Sequence, residues 1–392
     1  MEIESNIEAP KKKPRGRRQA AGGSGKKAPN PAASLIAALK FVSIAQKKAG
    51  AVNMQFCHIA HNWAAAFDGI LTVAAPIQED LAACVHTLQF IEALSNADEN
   101  LSVTQLGPNA LAVSSGAFRA LVPCVDFGEV PIPPPDPQCA VLDDRIKTAL
   151  AAVAGLATDG APIATYAAVL LQAGSAVATN GAALLEAWHG IDLPPGLLIP
   201  KAAAVAVAKA GKSLVGFGFS QSSLTFYFED GSFIKTQLYN EPYRNYKTIF
   251  ESDNLNLWPV PENFYKGIRA IESFSQNGHV FFEDGAVSSN LHKEEASTYQ
   301  VEGLPERMGF SIKHLLSVEH AFKKAHFDSE TNKVVFYGEG IRGGLVGLDV
   351  KEKMSDNETY YVKTETSYPS YANAHYSSKG NRDIYEDDDI PF

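Results

Sequence analysis

The sequence predicts an α+β protein that repeats one unit, read as helix, hairpin, helix, hairpin, three times along 392 residues. Three observations lead there. Helical periodicity recurs at 34–48, 143–156 and 262–274, with starts 109 and 119 residues apart. A second set, 79–96, 200–212 and 311–325, has starts 121 and 111 apart. Turn dipeptides separate the two sets in the same order each time.

Between each first and second helix stands a tight-turn signal: Phe67-Asp68-Gly69, Thr179-Asn180-Gly181 and Glu283-Asp284-Gly285. Asp-Gly and Asn-Gly tolerate the positive φ that short hairpins require. Behind each second helix come strand-like runs with another turn. These are 101–122 around Gly107-Pro108-Asn109, 214–238 around Glu229-Asp230-Gly231, and 333–348 after the turn at 328–332. Runs such as Leu224-Thr225-Phe226-Tyr227-Phe228 carry the β-branched and aromatic bias of sheet. Pro131, Pro133, Pro134, Pro135 and Pro137 make an extended connection, and Trp258-Pro259-Val260-Pro261 opens the third unit. The expected division is an arm at 1–30, units at 31–130, 138–245 and 258–349, and a tail at 350–392.

Net charge is −10, unevenly spread. Residues 1–30 sum to +5, 31–349 to −11 and 350–392 to −4. The arm and the tail lack the apolar residues needed to offset their ordering entropy, so both are expected to be flexible. No apolar run reaches the length of a membrane helix and no secretory leader is visible, so a cytoplasmic, membrane-free protein is expected. Four cysteines, Cys57, Cys84, Cys124 and Cys139, form no CxxC pair and no disulfide framework.

The repeat resembles the bacterial replicase β sliding clamp and its phage relatives. The local stretches are Leu111-Ala112-Val113-Ser114-Ser115-Gly116-Ala117-Phe118-Arg119-Ala120-Leu121, Leu198-Ile199-Pro200-Lys201 opening a helix, and Phe310-Ser311-Ile312-Lys313-His314-Leu315-Leu316. The resemblance covers roughly 31–349 and implies two chains closed into a ring, helices inside and sheet outside, with DNA passing through. A DNA polymerase and a second copy of the chain are then expected partners.

Charge patterning fits that implication. Of 21 basic residues in 31–349, 13 fall in the six expected helices: Lys40, Lys47, Lys48, Arg145, Lys147, Lys201, Lys209, Lys212, Lys266, Arg269, Lys313, Lys323 and Lys324. An acidic body with cations gathered on inner helices suits phosphate tracking without base reading. Ordinary decoration of solvated helix faces explains the same pattern equally well, and 79–96 contains no Lys or Arg. The arm adds Lys11, Lys12, Lys13, Arg15, Arg17 and Arg18 as a separate non-specific DNA contact.

The last residues are the sharpest signal. Asp387, Asp388, Asp389, Ile390, Pro391 and Phe392 are similar to the tip of bacterial single-stranded DNA-binding protein. That resemblance implies a partner-binding element for host replication and repair proteins, and a phage or mobile-element origin. The residue types suit the task. A terminal ring fills an apolar pocket, its carboxylate pairs with an Arg or Lys, and the Asp run steers toward a basic rim.

Catalytic readings fail. His58-x-x-His61 sits in a strand-like run, where i and i+3 point to opposite faces. Gly216-Phe217-Gly218 and Gly338-Glu339-Gly340 lack the rest of a phosphate loop. Ser114-Ser115-Gly116 is no nucleophile elbow, and Asp143-Asp144 has no partner set for a metal. No enzyme and no cofactor is expected. The first function class is a sliding-clamp-like replication factor on duplex DNA. The alternative is a single-stranded DNA-binding protein on a clamp-like body, for which Tyr239, Tyr243, Arg244, Tyr246 and Lys247 would supply stacking and charge. A tethering adaptor that binds no DNA is the third.

Overall fold

The computed structural model describes residues 30–46, 51–98, 100–251, 255–283, 285–291, 296–305 and 307–348. Residues 1–29 of the expected flexible arm, the tail with its tip, Lys47, Lys48 and Asp284 lie outside these residues.

One element order runs through three successive stretches. The first contains α1 (Ala33–Val42), then β1 (Phe56–Ala60), β2 (Trp63–Phe67), β3 (Leu71–Pro76) and β4 (Ala83–His86), then α2 (Thr87–Ser95), then β5 (Leu101–Gly107), β6 (Ala110–Ser115) and β7 (Phe118–Val125). The second opens with β8 (Ala140–Val141) and α3 (Arg145–Val153), followed by β9 (Ala168–Gln172), β10 (Ser175–Thr179), β11 (Ala183–Trp188) and β12 (Leu197–Pro200). It continues with α4 (Lys201–Lys209), β13 (Leu214–Phe219), β14 (Ser223–Phe228) and β15 (Phe233–Gln237). The third has β16 (Trp258–Pro259), α5 (Asn263–Glu272), β17 (His279–Glu283), β18 (Ala286–Ser288), β19 (Thr298–Gln300) and β20 (Met308–Ser311). It closes with α6 (Ile312–Ser317), β21 (Lys324–Asp328), β22 (Lys333–Gly338) and β23 (Ile341–Val346).

Four strands, not one hairpin, therefore separate the helices, and three follow the second helix. The four lie in the same spatial order each time: β4-β1-β2-β3, β12-β9-β10-β11 and β20-β17-β18-β19. This is Greek-key order, fourth strand beside first. Helix bounds also differ from the periodicity. The apolar run at 83–86 is strand β4, held between β1 and β7, because pairing on both edges outweighs a local helical pattern. The run 311–325 gives only α6 and a 3-10 turn at Glu319–Ala321 before β21 begins. α4 stops at Lys209, where Ala210 turns to extended geometry. Lys212, Lys323 and Lys324 are consequently off the helices.

Sheets cross from one stretch to the next. β3 pairs antiparallel with β15 in an 11-stranded sheet, and β11 pairs with β23 in an 8-stranded sheet. Strand alternation assigns the faces. Across the first seam Val73 opposes Ile234 in the core beneath the helices, and Ala74 opposes Phe233 on the other face. Across the second, Leu185 faces the core and Leu184 the opposite side. Helices thus cover one side of the sheets.

The connections between stretches cover the other side. Ile132 packs against Phe56, Cys84 and Val130, and against Ala65, Ala74 and Phe233. Asp136, buried to 5% exposure, accepts from Ser223 Oγ and Thr225 Oγ1 at 2.8 Å each and pairs with Lys235 Nζ at 3.2 Å. A Cβ on Gly218 would collide with the Pro137 carbonyl, so the Gly216-Phe217-Gly218 run is a seat for this connection. In the second connection Tyr239, Tyr243, Tyr246, Ile249 and Phe250 pack on Leu170, Val177, Leu184 and Leu198.

Candidate nucleic-acid interface

The six helices decide where the expected cations stand. Lys40 on α1, Lys209 on α4, Lys266 on α5 and Lys313 on α6 are exposed and carry no ion pair among the described residues. The other helical cations are engaged by the protein itself. Arg145 forks onto Asp143, with Nη2 2.7 Å from Oδ2; these hydrogen bonds hold the Asp143 carboxyl below its ordinary range. Lys147 Nζ donates to the Lys212 carbonyl at 2.8 Å and lies 3.3 Å from Asp144. Lys201 pairs with Asp159 at 3.1 Å, and Arg269 pairs with Glu319.

Lys212 is structural. Its Nζ lies 2.6 Å from Asp230 Oδ2, 3.0 Å from Ser232 Oγ and 3.8 Å above the ring of Phe41 on α1. Burial alone raises the Asp230 carboxyl, but hydrogen bonds from Lys212 and Ser232 outweigh it and hold the group below its ordinary value. Lys323 follows the 3-10 turn and Lys324 begins β21; both are exposed, but neither follows a helical stripe. α2 presents Leu88, Gln89 and Glu92, so its exposed face carries no cation. The structure thus reduces thirteen candidates to four free helical lysines and two exposed lysines on loop and strand. Lys47 and Lys48 lie outside the described residues.

The sheet ends carry a feature no residue type announced. β3 and β11 each pair with the last strand of the following stretch. Their counterpart in the third stretch, β19, pairs only with β18 and has a free edge among the described residues. The last strand of the first stretch, β7, pairs along one edge with β6 and meets β4 only at Cys124 and Val125. Its other edge is open over 118–123 among the described residues.

Sheets that continue from one stretch to the next, with pairs of helices covering one face, decide the architecture. The chain has the sliding-clamp fold. Its backbone is similar to the DNA polymerase sliding clamp of Bacillus subtilis, with a TM-score of 0.68 at 13% identity over 82% of this chain and 97% of that one. The sliding clamp of Caulobacter crescentus gives 0.67 at 17% identity over 81% and 98%. That of Pseudomonas aeruginosa gives 0.67 at 11% identity over 80% and 97%. No family model matches the sequence, and no curated protein does.

In this clamp fold the stacking segment expected for single strands is turned inward. Tyr246 is buried with its hydroxyl 2.7 Å from Glu186 Oε1, and burial raises both Tyr243 and Tyr246 well above an ordinary phenol. These rings pack on the sheet and offer no platform to bases. His58 sits in β1 with its ring 4.9 Å from Phe127, while His61 occupies a turn at φ 53°. Among the described residues no group of three His, Cys, Asp or Glu side chains could hold a metal. The cysteines are all free, and burial pushes the Cys57 and Cys84 thiols up to about 12. No helix among the described residues is long and apolar enough to cross a membrane.

Proposed function

We propose that this chain is a phage-type replication accessory protein that encircles duplex DNA as a ring of two chains. Its units at 31–130, 138–245 and 258–349 would give six around the ring. The observation that carries the reading is the pair of unfilled edges. Among the described residues, the seam made twice inside the chain, third inter-helix strand to last strand, could form a third time between β19 of one copy and β7 of another. Such heterologous head-to-tail contacts close when the rotation allows. The helices would then line the hole, and Lys40, Lys209, Lys266 and Lys313 would meet phosphates without reading bases. A DNA polymerase is the partner that the fold likeness suggests. The chain has no part in covalent chemistry in this reading.

The C-terminal tip is a second element of the proposal. Asp387, Asp388, Asp389, Ile390, Pro391 and Phe392 would recruit host replication and repair proteins, while the arm residues Lys11, Lys12, Lys13, Arg15, Arg17 and Arg18 would add a non-specific DNA term.

Topology tests the ring. Protein loaded on a nicked circle should stay bound through a high-salt wash and be released when the circle is cut, whereas linear DNA retains none. Equal retention on both forms, or preference for single strands, would replace the ring with the single-strand reading.

A further inference from the structure

The connection between the first two stretches is a strap, pinned from beneath and exposed above. The run Pro131-Ile132-Pro133-Pro134-Pro135-Asp136-Pro137 consists of prolines and of two residues that each precede one. Proline fixes its own φ and holds the residue before it extended, so this run is confined to polyproline II geometry. No peptide bond among the described residues is cis. That geometry repeats about every three residues, and the burial does too. Pro131, Pro134 and Pro137 are exposed, whereas Pro133 is half-buried and Asp136 buried.

The inward side is fastened at both ends. Ile132 packs on Ala65, Ala74 and Phe233. Strands β14 and β15 hold Asp136: Ser223 and Thr225 donate to its carboxylate and Tyr227 donates to its carbonyl. Lys235 Nζ reaches the same carboxylate at 3.2 Å and the Pro134 carbonyl at 2.9 Å. Asp136 N donates to Thr225 Oγ1 at 2.9 Å. These hydrogen bonds use backbone groups and the Asp136 side chain, not the outward proline rings.

The second connection has the equivalent place and does the reverse. Its Tyr243, Tyr246 and Phe250 turn onto the sheet, while the first connection turns its rings outward. Covering the sheet needs only the inward side, so the outward prolines are surplus to that task. Just before the strap, a 3-10 turn at Phe127–Glu129 leaves Asp126, Phe127 and Glu129 exposed, so one end of the ridge is acidic and carries an aromatic ring. From Pro131 to Pro137 the ridge runs about 19 Å at about 3.1 Å per residue. It lies on the side of the sheet away from the helices and stays accessible whatever they bind.

We propose that 126–137 is a docking ridge for a partner protein that carries an aromatic-lined groove with a basic rim. Such grooves seat prolines spaced as 131, 134 and 137 are, and they favour a ligand that already holds its bound shape. Pinning at Ile132 and Asp136 removes the ordering cost that a free proline-rich peptide still carries. The basic rim would meet Asp126 and Glu129. Complementarity names the occupant: rings for the prolines, cations for the carboxylates. The contact is independent of DNA binding and of ring closure.

Isotope-labelled WW, SH3 and EVH1 modules, titrated with the full chain and followed by NMR, test this, because each presents an aromatic groove of this kind. At least one should bind the full chain. Pro134→Ala together with Pro137→Ala should weaken that binding at least about tenfold. Both side chains are exposed, and the carbonyls that meet Lys235 and the Gly218 seat are retained in the variant. A free peptide of 126–137 should bind at least about threefold more weakly than the full chain. Binding by no module at millimolar concentration, equal binding by the double variant, or a peptide as good as the full chain would each overturn the proposal.

Discussion

Arg342 Nε and Nη2 each lie 2.7 Å from Glu186 Oε2, joining β23 to β11 across the seam between the second and third stretches. Glu186 is nearly inaccessible and also accepts from Ser175 Oγ and Tyr246 Oη. The guanidinium lies 4.0 Å from the Phe250 ring centroid. One carboxylate thus fastens both the sheet seam and the connection that crosses it.

Glu186→Gln should cost about 3 kcal/mol in chemical denaturation, because it strands a partly buried guanidinium. Arg342→Met, which leaves Glu186 unpaired instead, should cost a similar amount. A loss under ~0.5 kcal/mol for both would mean that apolar packing alone holds the seam.

Stability should fall on mild acidification. Burial is the main cause that lowers His58, His189, His279 and His314 beneath the ordinary 6.5. In the window below 6.5 the unfolded chain then binds more protons than the folded one. Their contribution is complete above 6.5 and is lost as pH drops toward the folded values. Denaturation midpoints at pH 7.5 and 5.0 should differ in this direction, and His189→Gln should shrink the difference. An identical difference in the variant would remove His189 from the account.

Phe274, 60% exposed, lies two residues beyond α5, the helix packed with β19 beside Tyr299. If copies join at β19, Phe274→Asp should raise the dimer dissociation constant at least about tenfold, with little change in monomer stability. Sedimentation velocity over a dilution series reads this directly. An unchanged constant would place the contact elsewhere.

Lys209, Lys266 and Lys313 are exposed and free of ion pairs among the described residues. Replacing all three with Glu should weaken duplex binding and lower the slope of log K against log salt by roughly three units. Lys201→Gln, which removes the partner of Asp159, should change stability more than slope. A slope untouched by the triple replacement would mark these lysines as solvated decoration.

Phe392→Ala removes the ring that would anchor the proposed tip. Capture of host replication proteins from bacterial extract should be lost, since an anchor of this kind is worth about 2 kcal/mol or more. Removal of 387–392 should leave DNA binding intact, or slightly stronger below about 0.15 M salt, where the Asp run can compete with DNA for basic residues. Retention of the same partners by both forms would make the tail a solubiliser.

Periodicity and turn chemistry are local properties, so the sequence by itself determined the alternation of helices with sheet and the turns at Asp68-Gly69 and Asn180-Gly181, where Gly69 and Gly181 take φ of 93° and 89°. Helical periodicity over 262–274 likewise announced α5, on which the structure buries Phe264, Ile268 and Ile271. What tertiary structure alone decided were the properties that depend on distant neighbours. The 83–86 run became β4 because β1 and β7 flank it, and Lys212 became a strut because Phe41 and Asp230 meet it from elsewhere in the chain. Tyr243 and Tyr246 turned from a plausible base platform into packing on the sheet. Neither the engagement of Arg145, Lys147 and Lys201 nor the open edges of β7 and β19 is written in residue type. A side chain's charge is encoded where it stands, but its partner is chosen by a fold that brings residues far apart in sequence within a few ångströms.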